Sequence, residues 1–104
     1  MSFLKKLFNS LEFPIYLGLI NLIIISVFTT VYYLFWKQNP TKYFNGLDEN
    51  SSIWDILYFT TTTQSTIGYG DITPKDVMSR MVVILQQVLI VVGALISLEI
   101  IDDQ

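Results

Sequence analysis

Cysteine and histidine are both absent from the 104 residues of this chain. Without cysteine there is no disulfide, no thiolate metal site and no cysteine nucleophile, and the redox compartment stays undetermined. Without histidine the chain lacks the commonest general base and the commonest zinc ligand. Both absences argue against enzymatic chemistry.

Charge is also scarce, because only 14% of the residues are charged whereas 52% are hydrophobic. This bias exceeds that of ordinary soluble domains and indicates a membrane protein. The net charge is −3, and no long basic run is present. Since phosphate binding needs clustered lysine and arginine, a nucleic-acid partner is excluded.

Two long runs carry no charge, at residues 15–35 and 81–98. At about 1.5 Å per residue, the first is long enough to cross a hydrocarbon core about 30 Å thick, and the second only just. Tyr32, Tyr33 and Trp36 close the first run as an aromatic belt at the membrane surface. A cleaved signal peptide is the alternative for this run, but the run is too long and no small-residue cleavage site follows it.

The segment before the first run has apolar residues at helical spacing and lysines mostly on the other side. This pattern predicts a short helix in the membrane interface, with a bend at Pro14 into the span. A disordered terminus is an equally open alternative. The apolar residues are Phe3, Leu4, Leu7, Phe8 and Leu11.

The segment between the runs starts as a polar linker, residues 37–52, with turn signals that predict a solvent-exposed turret. Asn50 begins an N-glycosylation pattern, but three-residue matches are common by chance and we expect no modification. Ser52 and Asp55 then predict a capped helix too short to cross a membrane. The last long helix is expected to start with Thr73 as its cap and Pro74 at its first position.

Between the short helix and the second run lies the sequence STIGYGDITP, residues 65–74. Its residues 66–71, TIGYGD, resemble the selectivity filter of potassium channels, with isoleucine where valine is commoner. From residue 15 onward the chain resembles the minimal two-span potassium channels, such as those of large algal viruses. The short helix before the motif, Pro74 after it and a span on each side make the resemblance specific.

The resemblance implies an all-α membrane protein with two transmembrane helices, a re-entrant pore helix and a filter loop, assembled as a homotetramer in the lipid bilayer. It implies passive conduction of dehydrated K⁺, with no enzyme activity and no cofactor besides K⁺ as the permeating ligand. The expected segments are an interfacial helix 1–14, an outer transmembrane helix 15–36, an extracellular turret 37–51, a pore helix 52–65, a filter 66–71 and an inner transmembrane helix 74–101.

The K⁺ ligands under this resemblance are backbone carbonyls in the filter, with the Thr66 hydroxyl as a further layer. An ordinary strand points its carbonyls alternately to opposite sides, and glycine at every second position removes this limit. The ion-binding residues are therefore Thr66, Ile67, Gly68, Tyr69 and Gly70. The Tyr69 ring is expected to pack behind the filter, braced by Trp54 or Tyr58, and Asp71 to lie at the outer mouth. Some relatives brace this aspartate with an aromatic residue and a buried acid of the pore helix. Tyr58 and Thr62 stand at these positions here, so the aromatic partner is expected and the acidic one is missing.

The second span is expected to line an inner cavity with Gln87, Val91, Ala94 and Leu98. An interhelical hydrogen bond is the alternative role for Gln87. Gln86 is expected to face the first span, with Asn21 as a partner. Gly93 and Ser97 form a small-xxx-small pair, typical of close helix packing and less often of a hinge. Glu99, Asp102 and Asp103 ring the inner mouth or form a solvated tail.

The family orientation places the turret and filter mouth outside and both termini in the cytosol, against the lysine count, which would place the loop inside. No helix has a row of arginines and few residues follow the second span, so we expect neither a voltage sensor nor a ligand-binding domain. Two alternatives stay open: a nonselective cation channel on the same scaffold and a passive membrane anchor with a glycine turn.

Overall fold

The computed structural model describes residues 2–102 and contains three helices among them. These are α1 (Ser2–Gln38), α2 (Ile53–Gln64) and α3 (Val77–Asp102). Two short strands, β1 (Phe44–Asn45) and β2 (Thr73–Pro74), pair antiparallel, with Phe44 opposite Pro74 and Asn45 opposite Thr73. The chain is elongated, measuring 56 × 24 × 20 Å, because α1 and α3 are both long.

Two stretches of helix are long and apolar enough to span a membrane. They are Glu12–Gln38, with a mean hydropathy of 2.0, and Val77–Ile100, with a mean hydropathy of 2.5. Only 17% and 11% of their most apolar windows are buried within the chain. Their apolar side chains therefore need lipid or further protein around them.

The helix α1 runs unbroken through Pro14. Residues 2–14 form the first turns of α1, so the predicted separate helix over residues 1–14 is wrong for residues 2–14, whereas the bend at Pro14 stays a prediction. Proline removes one hydrogen bond inside a helix without necessarily ending it, and such positions are tolerated in membrane helices. Phe3 of the predicted apolar stripe is exposed, while the side chains of its other members lie outside the description.

The pore-helix candidate α2 begins where the sequence predicts. Ser52 is its cap, and the Ser52 N–H donates to Asp55 Oδ2 at 2.8 Å. Its 12 residues extend about 18 Å, which is too short to cross a bilayer.

The helix α3 starts three residues later than expected. Thr73 and Pro74 lie in β2, so the predicted cap at Thr73 is wrong. Asp76 takes this place, because its Oδ2 accepts the Met78 N–H at 3.2 Å. Pairing with β1 keeps Pro74 in extended backbone, which its fixed φ tolerates at the end of a strand.

An aromatic cluster joins the turret to α1 and α2. The rings of Tyr32, Phe44 and Phe59 meet edge to face, with centroids 5.3–5.5 Å apart. Tyr43 and Leu47 of the turret are also buried. The turret is therefore only partly solvent-exposed, and Tyr32, predicted in the aromatic belt, is fully buried because it faces Phe44 and Phe59.

Candidate functional site

The 66–71 loop is tied to the carboxyl end of α2 by backbone hydrogen bonds. The Thr62 carbonyl accepts the N–H of Ile67 at 2.9 Å and the N–H of Gly68 at 3.1 Å. The Thr66 N–H donates to the Thr63 carbonyl at 3.0 Å. Carbonyls that lack partners at the helix end are satisfied in this way, and these loop amides are directed back toward α2.

Every second residue of the loop adopts left-handed backbone. The φ angles of Thr66, Gly68 and Gly70 are 64°, 57° and 86°, whereas Ile67 and Tyr69 keep negative φ. A Cβ at Gly68 or Gly70 would meet no atom within 4 Å, so backbone angle and not space requires glycine there. Alternation of positive and negative φ along the loop lets successive carbonyls point to one side. The sequence predicted unusual backbone angles at the two glycines but not at Thr66, since threonine is unfavourable at positive φ.

The Tyr69 ring lies parallel to the Tyr58 ring of α2. Their planes differ by 3° and their centroids are 6.0 Å apart. Trp54, the other predicted brace, is 73% exposed, and its indole makes no ring contact within residues 2–102. Within one chain, Tyr58 alone of the two supports the loop through its ring.

Asp71 lies at the end of the loop and interacts with Tyr58. The pKa of the Tyr58 hydroxyl is raised by desolvation, and further by the neighbouring Asp71 carboxylate and the charge of Tyr69. Asp71 Oδ1 also accepts the Ile72 N–H at 3.1 Å. The Thr62 hydroxyl donates to the Phe59 carbonyl of its own helix at 2.9 Å. Tyr58, and not Thr62, therefore faces the aspartate.

The turret contacts the C-terminal end of this loop, which the sequence did not predict. Gly46 has a φ of 88°, and a Cβ there would overlap with the Asp71 carbonyl oxygen. The Asn45 amide donates to the Thr73 hydroxyl at 3.1 Å. The Asn45-Gly46 turn signal was visible in the sequence, but its contact with Asp71 depends on a pairing of two-residue strands.

A cavity of about 300 Å³ lies on the other side of the loop. It brings Gln87 and Val91 of α3 together with Thr66 and Gly68. The other residues lining this cavity are Thr62, Thr63 and Ile90. Two of the four predicted cavity residues thus lie beside the loop.

The remaining predicted residues of α3 lie farther along the helix. Ala94 lines a groove between α1 and α3 together with Gly93 and Ser97. Leu98, Glu99 and Asp102 are exposed near the end of α3. Asp103 lies outside the described residues.

Comparison with known proteins identifies the family of this chain. Residues 20–103 match the ion channel family. The chain belongs to this family. It is 32% identical over 64 residues to the potassium channel protein kcv of Paramecium bursaria Chlorella virus 1, covering 61% of this chain and 68% of the viral protein.

A second relative is an archaeal protein. Over 49 residues the chain is 37% identical to a hyperpolarization-activated voltage-gated potassium channel of Methanocaldococcus jannaschii. The match covers 47% of this chain but only 23% of that protein's length. No solved structure matches the channel chain. The family and the two apolar helices make the chain an integral membrane protein of an ion channel family, and this family is not an enzyme family.

The channel chain also contains a buried glutamine on α3. Gln86 is fully buried, and its Oε1 accepts the Tyr32 hydroxyl of α1 at 2.7 Å. Its Nε2 donates to the Thr60 carbonyl at 3.2 Å and to Gln64 Oε1 at 3.1 Å. The predicted direction toward the first span is therefore right, but the predicted direct partner, Asn21, is wrong. Tyr32 is the α1 residue beside the middle of α2, where Gln86 also binds the Thr60 carbonyl.

Proposed function

We propose that this protein is a potassium-selective channel that conducts dehydrated K⁺ passively through the 66–71 loop. The alternating φ of Thr66, Gly68 and Gly70 is the observation that carries the proposal. Stripping water from a monovalent ion costs on the order of 20 kcal/mol by idealised Born estimates. A stack of backbone carbonyls aimed at one axis offsets this cost by replacing the hydration shell. The ligands are the carbonyls of residues 66–70 and the Thr66 hydroxyl.

Four copies of the chain form the pore in this proposal. One chain with two spans cannot enclose an axis, and Ile67 and Tyr69 are 56% and 66% exposed in the single chain. Four copies place rings of four carbonyls around the axis, so that an ion between two rings has eight oxygen ligands. The named relatives are described as potassium channels, which supports the same choice of ion.

The rest of the chain has matching roles. Tyr58 and Tyr69 hold the width of the filter, and Asp71 attracts cations at the outer mouth. Gln87 and Val91 line the cavity beside Thr66, and Ala94 and Leu98 continue its wall toward the inner mouth, where Glu99 and Asp102 attract cations. The turret faces the extracellular side and both termini face the cytosol.

Flux into liposomes tests this proposal. Purified protein is reconstituted with K⁺ inside and outside, and uptake of a potassium tracer is compared with uptake of a sodium tracer. We expect potassium uptake that barium, an ion close to potassium in size, abolishes. Equal uptake of sodium would favour a nonselective cation channel, and no uptake of either ion would favour a passive anchor.

A further inference from the structure

We propose that Gln86 is a positioning residue for the 66–71 loop, acting through the last turn of α2. The proposal rests on the proposed function, since it assigns to Gln86 a part in keeping the loop potassium-selective. Gln86 is fully buried and binds the last turns of α2, whereas Tyr58 and Asp71 support the C-terminal end of the loop.

Gln86 belongs to a series of side-chain hydrogen bonds, here called the polar chain, in which each residue donates to the next. The Tyr32 hydroxyl donates to Gln86 Oε1 at 2.7 Å, and Gln86 Nε2 donates to Gln64 Oε1 at 3.1 Å. Gln64 Nε2 donates to Asn21 Oδ1 at 2.8 Å. Asn21 Nδ2 ends the chain on the Leu17 carbonyl at 2.8 Å. Each amide in this polar chain both accepts and donates, so its members specify one another's orientation.

The polar chain starts at Tyr32 and returns to α1 at Asn21, and between them it passes through Gln64 at the end of α2. Tyr32 and Asn21 are about 16 Å apart along the helix axis at 1.5 Å per residue. Gln86 adds a bond to the Thr60 carbonyl, and Gln64 is the last residue of α2. At membrane depth no water replaces a lost partner, so an amide here favours the one arrangement that satisfies it.

The end of α2 in turn sets the position of the loop. The Thr62 carbonyl, which accepts the N–H groups of Ile67 and Gly68, lies between Thr60 and Gln64. A displacement of this turn therefore moves both amides together with the carbonyls beside them. The width of a carbonyl ring is set by such displacements, so loss of the Gln86 contacts should change ion preference.

Replacing Gln86 tests whether it has this role or only packs the helices together. Gln86→Met keeps the volume and removes the amide, and Tyr32→Phe removes one oxygen and keeps the buried ring. Ser97→Ala and Ser26→Ala are matched controls, because each removes a hydroxyl that bonds only within its own helix. Two readouts are measured for each variant: the potassium-to-sodium permeability ratio in bilayers and the heat resistance of the assembled protein in detergent.

We expect Gln86→Met to lower the permeability ratio by about threefold, the factor equivalent to one typical interhelical hydrogen bond in a membrane, because the bonds lost are those that position the loop. Tyr32→Phe should lower it in the same direction, and the double variant should be no worse than Gln86→Met alone because both act through one polar chain. The serine controls should keep the wild-type ratio. If Gln86→Met does not assemble, Tyr32→Phe decides the test.

Lower heat resistance at an unchanged permeability ratio in both variants would overturn the proposal and leave Gln86 a packing residue. Additive effects of the two substitutions would also overturn it. A wild-type protein without potassium selectivity would instead overturn the proposed function, and the role of Gln86 with it. The wild-type measurement therefore separates the two failures.

Discussion

The rings of Tyr58 and Tyr69 lie parallel, with an interplanar angle of 3° and centroids 6.0 Å apart. At this separation parallel rings are offset, which is a favourable arrangement for aromatic pairs. The contact joins the middle of α2 to the loop at the residue between its two glycines. It therefore holds the C-terminal half of the loop, while the Thr62 carbonyl holds the N-terminal half.

Removing the Tyr58 ring should lower selectivity more than removing its hydroxyl. Tyr58→Leu loses the stacked ring contact, whereas Tyr58→Phe keeps it. We expect a reduced potassium-to-sodium permeability ratio for the leucine variant and a nearly unchanged ratio for the phenylalanine variant. Reversal potentials in bilayers measure both, and a wild-type ratio in Tyr58→Leu would contradict a bracing role.

The Tyr58 hydroxyl should make the stability of the protein sensitive to alkaline pH. Desolvation and Asp71 raise its pKa above the ordinary value of 10.0. Stability from a group with a raised pKa is fully present below about pH 10 and is lost as the pH rises through the folded-state pKa. We expect this loss in thermal denaturation of the wild type and a smaller loss in Tyr58→Phe. The same alkaline decline in both proteins would count against this contact.

Alanine at Gly68 should abolish potassium current. The φ of 57° there costs an L-residue roughly 1–2 kcal/mol in each chain. Gly18→Ala is the matched control, because Gly18 lies inside α1 and a Cβ there meets no atom within 4 Å. Current is measured in bilayers for both variants at equal protein incorporation. Intact current in Gly68→Ala would contradict the role of the alternating backbone.

Alanine at Gly46 should disturb the outer end of the loop from the turret. Its Cβ would overlap with the Asp71 carbonyl oxygen, and its φ of 88° adds a cost of about 1–2 kcal/mol. We expect a lower thermal midpoint and weaker block by external barium. Glu49→Ala, at an exposed turret position, serves as the control and should change neither. If Gly46→Ala and Glu49→Ala behave alike, the turret does not support the loop.

Local signals in the sequence predicted a large part of this fold. The charge-free runs indicated both long helices, and Ser52 with Asp55 indicated the start of α2, because a capping residue acts within its own turn. The glycines at 68 and 70 indicated the unusual backbone of the loop. These features depend on neighbours within a few residues.

Several features that depend on distant partners were missed. Tyr32 has the same side chain as Tyr33 beside it, so hydropathy could not distinguish the face toward Phe59 from the face toward lipid. The two-residue strands have no periodicity to detect, so the displaced start of α3 and the contact of Gly46 with Asp71 were not predicted. The partners of Gln86 depend on how three helices meet.

The reversal potential under bi-ionic conditions tests the central claim most directly. Purified protein is placed in a planar bilayer with potassium on one side and sodium on the other. Potassium selectivity through the 66–71 loop predicts a reversal potential far from zero, in the direction set by the potassium gradient. A reversal potential near zero would contradict it.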